Sequence, residues 1–132
     1  MRKIIVSLLA AATLAAPAAA AAPRLSPDAE LARLLEGRVA GKPQACISML
    51  GSRSSQIIDR TALVYRDGRT VWVNRPRSGA EALRGDPILV TRPFGSQLCR
   101  VDPVHLVDRG SGFRRGFLLL GDFVPYRLPP RS

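Results

Sequence analysis

Ala62-Leu63-Val64-Tyr65-Arg66-Asp67-Gly68-Arg69-Thr70-Val71-Trp72-Val73 is the stretch on which the reading of this chain turns. Two runs of strand-forming residues flank Asp67-Gly68, a dipeptide suited to a two-residue type I′ turn because both central positions need positive φ. With that turn, Leu63 faces Trp72 and Tyr65 faces Thr70 on one side of the ribbon, while Ala62 faces Val73 and Val64 faces Val71 on the other. Both sides are therefore apolar. A lone hairpin is marginal in water. This one is either covered on both faces, as in a sandwich or small barrel, or keeps the Leu63, Tyr65 and Trp72 face for a ligand or partner.

Strand signals continue outward from the hairpin. Upstream, Cys46 to Leu50 and Gln56 to Asp59 are separated by the polar segment Gly51 to Ser55. Downstream come Ile88 to Arg92 stopped by Pro93, Gln97 to Val101, Val104 to Asp108 after Pro103, Phe117 to Leu120, and Phe123 to Tyr126 beyond Gly121-Asp122. Short strands at such close spacing predict an all-β domain over residues 45–127, a small antiparallel barrel or sandwich. Between them, Asn74 to Ser78 reads as a basic loop. Ser78-Gly79-Ala80-Glu81 has the capping-box pattern and predicts one helical turn ending near Gly85.

Residues 23–44 read as a short helix and a linker. Ser26 is placed as N-cap and Pro27 at the first helical position, with Asp28 and Glu30 near the positive end of the helix dipole. Leu31, Leu34 and Leu35 form one apolar stripe, and Gly37 stops a helix of about ten residues that must dock to be stable. Gly41-Lys42-Pro43 follows as a hinge. Residues 128–132, Leu-Pro-Pro-Arg-Ser, are expected to be a disordered tail.

Residues 1–22 have the order of a secretory signal peptide: Met1-Arg2-Lys3, an apolar segment from Ile4 to about Ala16, then the small-residue block Ala18 to Ala22. Cleavage is expected just before Ala21 or Ala22. The competing reading, a membrane anchor, is short against the ~20 residues a span needs and is rich in Ala rather than Leu. The first cysteine is Cys46, so no lipid-attachment thiol follows the small residues. An exported protein, periplasmic or extracellular, is the expectation.

Removing the leader takes away Arg2 and Lys3 and leaves eighteen basic residues against ten acidic ones, a net charge of +8. All but Lys42 of those basic residues are arginine, whose planar fork pairs bidentately with phosphate and carboxylate. Richness in Ala, Pro and Gly offers a second cause, a codon bias toward G and C. Two loops carry clusters: Arg75 and Arg77 in one, Arg109, Arg114 and Arg115 around Gly110-Ser111-Gly112-Phe113 in the other. If both loops sit at the same end of the β core they form an anion-binding patch with Phe113 and Phe94 beside it; otherwise they are a solvated surface. Outside the cytoplasm the polyanions at hand are lipid phosphates, cell-wall polymers and acidic proteins, which argues against nucleic acid as a partner. Cys46 and Cys99 admit one intramolecular pairing, and an oxidising compartment favours the bond over two buried free thiols.

Catalytic signals are sparse. His105 is the only histidine and sits in the alternating run Val104 to Val107 without a G-x-S-x-G elbow. Asp59, Asp102 and Asp122 could supply a carboxylate pair, yet each also suits a turn or an arginine partner. No catalytic residue, cofactor or metal ligand set is assigned.

Five strings together resemble a domain-of-unknown-function family of small exported bacterial proteins: Cys46-Ile47; Arg53 to Asp59; Asn74; Leu98-Cys99-Arg100-Val101-Asp102; and Leu120-Gly121-Asp122-Phe123-Val124-Pro125-Tyr126. The resemblance covers roughly Cys46 to Tyr126. Some members of that uncharacterised family carry two further cysteines, where this chain has Arg77-Ser78-Gly79 and Leu118-Leu119, so a second disulfide is not expected. The resemblance implies an exported domain and brings no activity with it. The expected function is that of a non-enzymatic binding or structural module of the cell envelope, with an anionic envelope component or envelope protein as partner. The alternative is a small periplasmic enzyme or enzyme inhibitor using Asp59, Asp102 or arginines.

Overall fold

The computed structural model describes residues 20–131. Nearly all of the predicted leader, and Ser132, lie outside the described residues. In chain order the elements are α1 (Pro27–Leu34), β1 (Val39–Ala40), β2 (Cys46–Ser48), β3 (Ser52–Ile58), β4 (Ala62–Asp67), β5 (Thr70–Asn74), a 3-10 turn (Ala80–Ala82), β6 (Ile88–Thr91), β7 (Gln97–Cys99), β8 (Pro103–Val107), β9 (Arg114–Leu119) and β10 (Phe123–Arg127). All strand pairings between them are antiparallel. The largest sheet runs β1-β10-β5-β4-β3, a second runs β6-β8-β9, and β2 pairs with β7 as a two-stranded ribbon.

The hairpin β4–β5 lies inside the largest sheet and is covered on both faces. On one face Leu63, Tyr65 and Trp72 pack with Phe123 against Ile47, Leu83, Leu98, Val104, Leu106, Leu118 and Leu120, residues of the two smaller sheets and their connections. On the other, Ile58, Ala62, Val64, Val71 and Val73 pack against Leu31 of α1, with Leu34, Leu35 and Tyr126 at the margin. The order of layers is helix, five-stranded sheet, smaller sheets. The sheets remain open, so of the two predicted architectures the chain adopts the sandwich.

The hairpin register differs from the predicted one. Asp67 pairs with Thr70, Tyr65 with Trp72, and Leu63 with Asn74, so the central turn residues are Gly68 and Arg69. Of these only Gly68 has positive φ, +54°. That is the type II′ requirement, glycine at the first central position, and it spares Asp67 the left-handed conformation that type I′ would have asked of it. The partner shift is two residues, an even number, so every side chain stays on its predicted face.

α1 starts as predicted: Ser26 Oγ accepts the Ala29 N–H at 3.2 Å and Pro27 opens the helix. It runs for eight residues rather than ten, and Gly37 at φ +71° takes the chain away from it. The predicted capping box does not form. The Ser78 carbonyl instead accepts the Leu119 N–H at 3.1 Å, so Ser78 is held in an extended bridge. Gly79 caps the 3-10 turn at φ +85°, and a Cβ there would meet the Phe117 carbonyl oxygen at 2.3 Å. Residues 128–131 carry no regular secondary structure.

Cys46 and Cys99 are disulfide-bonded across directly opposed positions of β2 and β7, with Cα atoms 3.9 Å apart. The pair is 53 residues apart in sequence, a loop for which the chain-entropy argument gives about 4 kcal/mol as a ceiling. Cys99→Ser is therefore expected to lower stability by about 2 to 4 kcal/mol, read as a lower denaturation midpoint with a somewhat larger m-value as the unfolded chain expands. A midpoint indifferent to the substitution or to reductant would show that the ribbon's packing alone holds it.

Candidate functional site

The predicted apolar face of the hairpin is core. Tyr65 and Trp72 are buried, and the Tyr65 ring stands edge-on to Phe123 with centroids 6.0 Å apart. Burial pushes the Tyr65 phenol up to about 12. What the structure leaves open instead is the outer face of the β6-β8-β9 sheet. Because Leu106 and Leu118 point inward, the alternate positions point out. The register sets these in rows: Ile88, Val107 and Arg114 in the first, Val90, His105 and Phe117 in the second, Pro103 and Leu119 in the third. Phe117 is 54% exposed and Ile88, Val90 and Leu119 are exposed as well. His105 lies half-buried at the centre of this face. Sequence reasoning passed over the face although it carried a signal. Ile88-Leu89-Val90 and Phe117-Leu118-Leu119-Leu120 are apolar at consecutive positions, which supplies a second apolar face on strands that have only one core to fill.

The five predicted anion-binding arginines do not converge. The Arg77 N–H donates to the Leu119 carbonyl at 2.8 Å, which sets the Arg75 and Arg77 loop beside the end of β9, whereas Arg114 and Arg115 open that strand. Five strand residues separate the two places by roughly 17 Å. The Arg77 side chain is also engaged, its Nε donating to the Leu120 carbonyl at 2.8 Å. Arg109 pairs with Asp86 at 3.3 Å and Arg115 with Asp108 at 3.6 Å. The Ser111 backbone N–H and hydroxyl, then the Gly110 N–H and the Arg115 charge, hold the Asp108 carboxyl below the usual carboxylate range. Arg114 stands alone at the first row of the outer face, and the exposed Phe113 precedes it.

A different set of arginines meets. Arg60, Glu81, Ala82, Arg84 and Arg115 line one open cleft of about 550 Å³. Arg60 comes from the β3–β4 turn, Arg84 from the segment after the 3-10 turn, and Arg115 from β9. Only Arg115 was predicted. The others sit far apart in the sequence without a motif to join them.

The carboxylates considered for catalysis are each occupied separately. Asp59 lies 3.9 Å from Arg60 in its turn, and Asp122 pairs with Arg100 at 2.7 Å. Buried Asp102 accepts the Cys99 N–H at 2.7 Å while its own N–H donates to the Cys99 carbonyl at 2.9 Å, closing the turn after β7. Among the described residues the most buried polar side chain is Asn74. Its Nδ2 donates to the Gly121 carbonyl at 2.7 Å and its Oδ1 accepts the Gly121 N–H at 3.0 Å, reproducing a backbone pair. Gly121 is required there, since a Cβ would meet the Arg75 carbonyl oxygen at 2.3 Å. Four of the five strings singled out in the sequence thus touch one another: Cys46 with Cys99, Arg100 with Asp122, and Asn74 with Gly121. They build the scaffold.

Asn74→Ala leaves both Gly121 groups buried without partners and is expected to cost about 2 to 4 kcal/mol in a denaturant titration. Tyr65 makes a pH prediction. Its folded-state pKa is raised, so its contribution is intact below pH 10 and is lost as pH rises toward about 12. Stability should fall across that window, and Tyr65→Phe should flatten the fall while leaving neutral-pH stability nearly unchanged. The chain matches no protein-family model, no curated protein and no solved structure.

Proposed function

We propose that this chain is a non-enzymatic binding module of the bacterial cell envelope that is exported by cleavage of its leader and docks on an anionic membrane surface. The observation that carries this reading is the outer face of the β6-β8-β9 sheet, whose apolar side chains surround a half-buried His105 and end at Arg114 in the first row. Arg92, directly beyond β6, adds positive charge to its margin. Phe113 and Phe94, 76% and 95% exposed, project from loops at opposite ends of the sheet. Exposed aromatics beside arginines suit an interface where apolar rings enter the headgroup region and guanidinium groups meet lipid phosphates.

A second copy of the chain is the weaker occupant. Three strands and three rows span on the order of 300 Å², against about 800 Å² per partner for a stable interface. A membrane needs no such minimum, because charge adds to the apolar contact. Export is supported by the tripartite leader, by the resemblance to exported proteins, and by a disulfide that suits an oxidising compartment. Among the described residues no helix is long and apolar enough to cross a membrane.

Vesicle sedimentation tests the docking. Binding to phosphatidylglycerol-containing vesicles should exceed binding to pure phosphatidylcholine and should weaken steeply from low to physiological salt. Val90→Ser with Phe117→Ser, and separately Arg114→Ser, should each reduce binding with little change in melting temperature, since these side chains are exposed. Retention indifferent to salt and to both variants would sink the reading. Export is tested by intact mass of the protein from an envelope fraction, expected to lack about the first 20 residues. A chain still beginning at Met1 would overturn it.

A further inference from the structure

We infer that the cleft between Arg60, Arg84 and Arg115 is a binding site for a phosphate group that retains a proton, apart from the outer face of the β6-β8-β9 sheet although Arg115 comes from that sheet. Two departures from regular backbone bring arginines into this one cleft. Arg60 has φ +50° in the turn closed by the Thr61 N–H to the Ile58 carbonyl at 3.0 Å. A left-handed residue at the third position of such a turn is ordinarily Gly or Asn, and any residue with a Cβ is strained there. The Arg60 backbone N–H also donates to the Leu83 carbonyl at 2.9 Å, which ties this turn to the residue before Arg84.

Arg115 is the second departure. Leu106 pairs with Gly116 and Val107 with Arg114, so Arg115 is the extra residue of a β-bulge, a device that re-aims a side chain. Its side chain is 22% exposed, lies along the cleft wall and is steadied by Asp108. Among the described residues no carboxylate lies within ion-pair distance of Arg84. Three arginines thus line one open volume, Arg60 with Asp59 at 3.9 Å and Arg115 with Asp108 at 3.6 Å, and planar forks of this kind match phosphate oxygens. Glu81 is the one carboxylate on the wall. It repels an anion that carries no proton and can accept a hydrogen bond from the P–OH that phosphate keeps near neutral pH, which selects phosphate over an unprotonated anion such as sulfate. Local strain held at a site of converging charge is how folds position binding groups.

Inorganic phosphate at pH 7, without vesicles, is the probe. Thermal melts of the intact exported chain should shift upward by several degrees, saturably, in potassium phosphate and not in potassium chloride of equal ionic strength. Arg84→Gln, on an exposed residue, should abolish most of the shift while leaving the phosphate-free melt unchanged. Arg60→Gly should raise the phosphate-free melting temperature by relieving the left-handed turn and yet shrink the phosphate shift, a pair of opposite effects that a merely structural residue does not produce. A shift reproduced by chloride, or equal in wild type, Arg84→Gln and Arg60→Gly, would overturn the site. Phe117→Ser should keep the full phosphate shift, so failure of membrane docking and failure of this site are read apart. Competition by phosphatidic acid vesicles but not by phosphatidylglycerol vesicles of equal charge would assign the phosphate to a lipid headgroup. Competition by neither would assign it to a soluble ligand, and both results uphold the site.

Discussion

Burial of the β4–β5 hairpin on both faces is the constraint on which the rest of this structure depends. A ribbon with Leu63, Tyr65 and Trp72 on one side and Ala62, Val64, Val71 and Val73 on the other has no face to give to water. Each neighbouring element is placed by one of these two demands. α1 is too short to stand alone and is held by Leu31 against the second face. The smaller sheets supply Val104, Leu106, Leu118 and Leu98 to the first. Once those inward positions are committed, alternation forces Val90, His105, Phe117 and Leu119 outward. The proposed membrane face is in this sense a by-product of the core.

The polar groups follow the same logic of enclosure. Asn74 ends β5 at a place where the chain from β9 to β10 must turn inside the protein, and its amide supplies Gly121 with the partners that a neighbouring strand would otherwise give. Asp102 does the same for Cys99 at the end of β7. These groups look like chemistry in a sequence because they are polar and isolated among apolar residues. In the fold they are substitutes for missing backbone.

Much of the architecture was legible in the chain, because hydrophobic alternation, the Asp67-Gly68 signal and the Ser26-Pro27 helix start act over a few residues. The hairpin register was misread because Gly at one central turn position suffices where positive φ at both had been assumed. The capping box at Ser78 was misread because a tertiary bridge to Leu119 took the residue that local propensity had reserved. The site was less legible still. Arginines adjacent in sequence were separated along β9, while Arg60, Arg84 and Arg115, distant in sequence, were gathered by a turn, a connection and a bulge. Local pattern cannot express such a meeting, since it depends on which strand ends the topology brings together.

The disulfide has a topological meaning beyond its effect on folding. Cys46 and Cys99 enclose β3, β4, β5, the 3-10 turn and β6 in one covalent ring. The loop that carries Phe94, fully offered to solvent, lies within that ring. A protease that nicks the backbone there opens the ring without dividing the molecule: the two pieces stay joined through sulfur, and the sheets remain where packing has set them. Nicked in this way, such a chain is damaged in its covalent order while its shape persists, and its lifetime is set by a second cut or by a reductant.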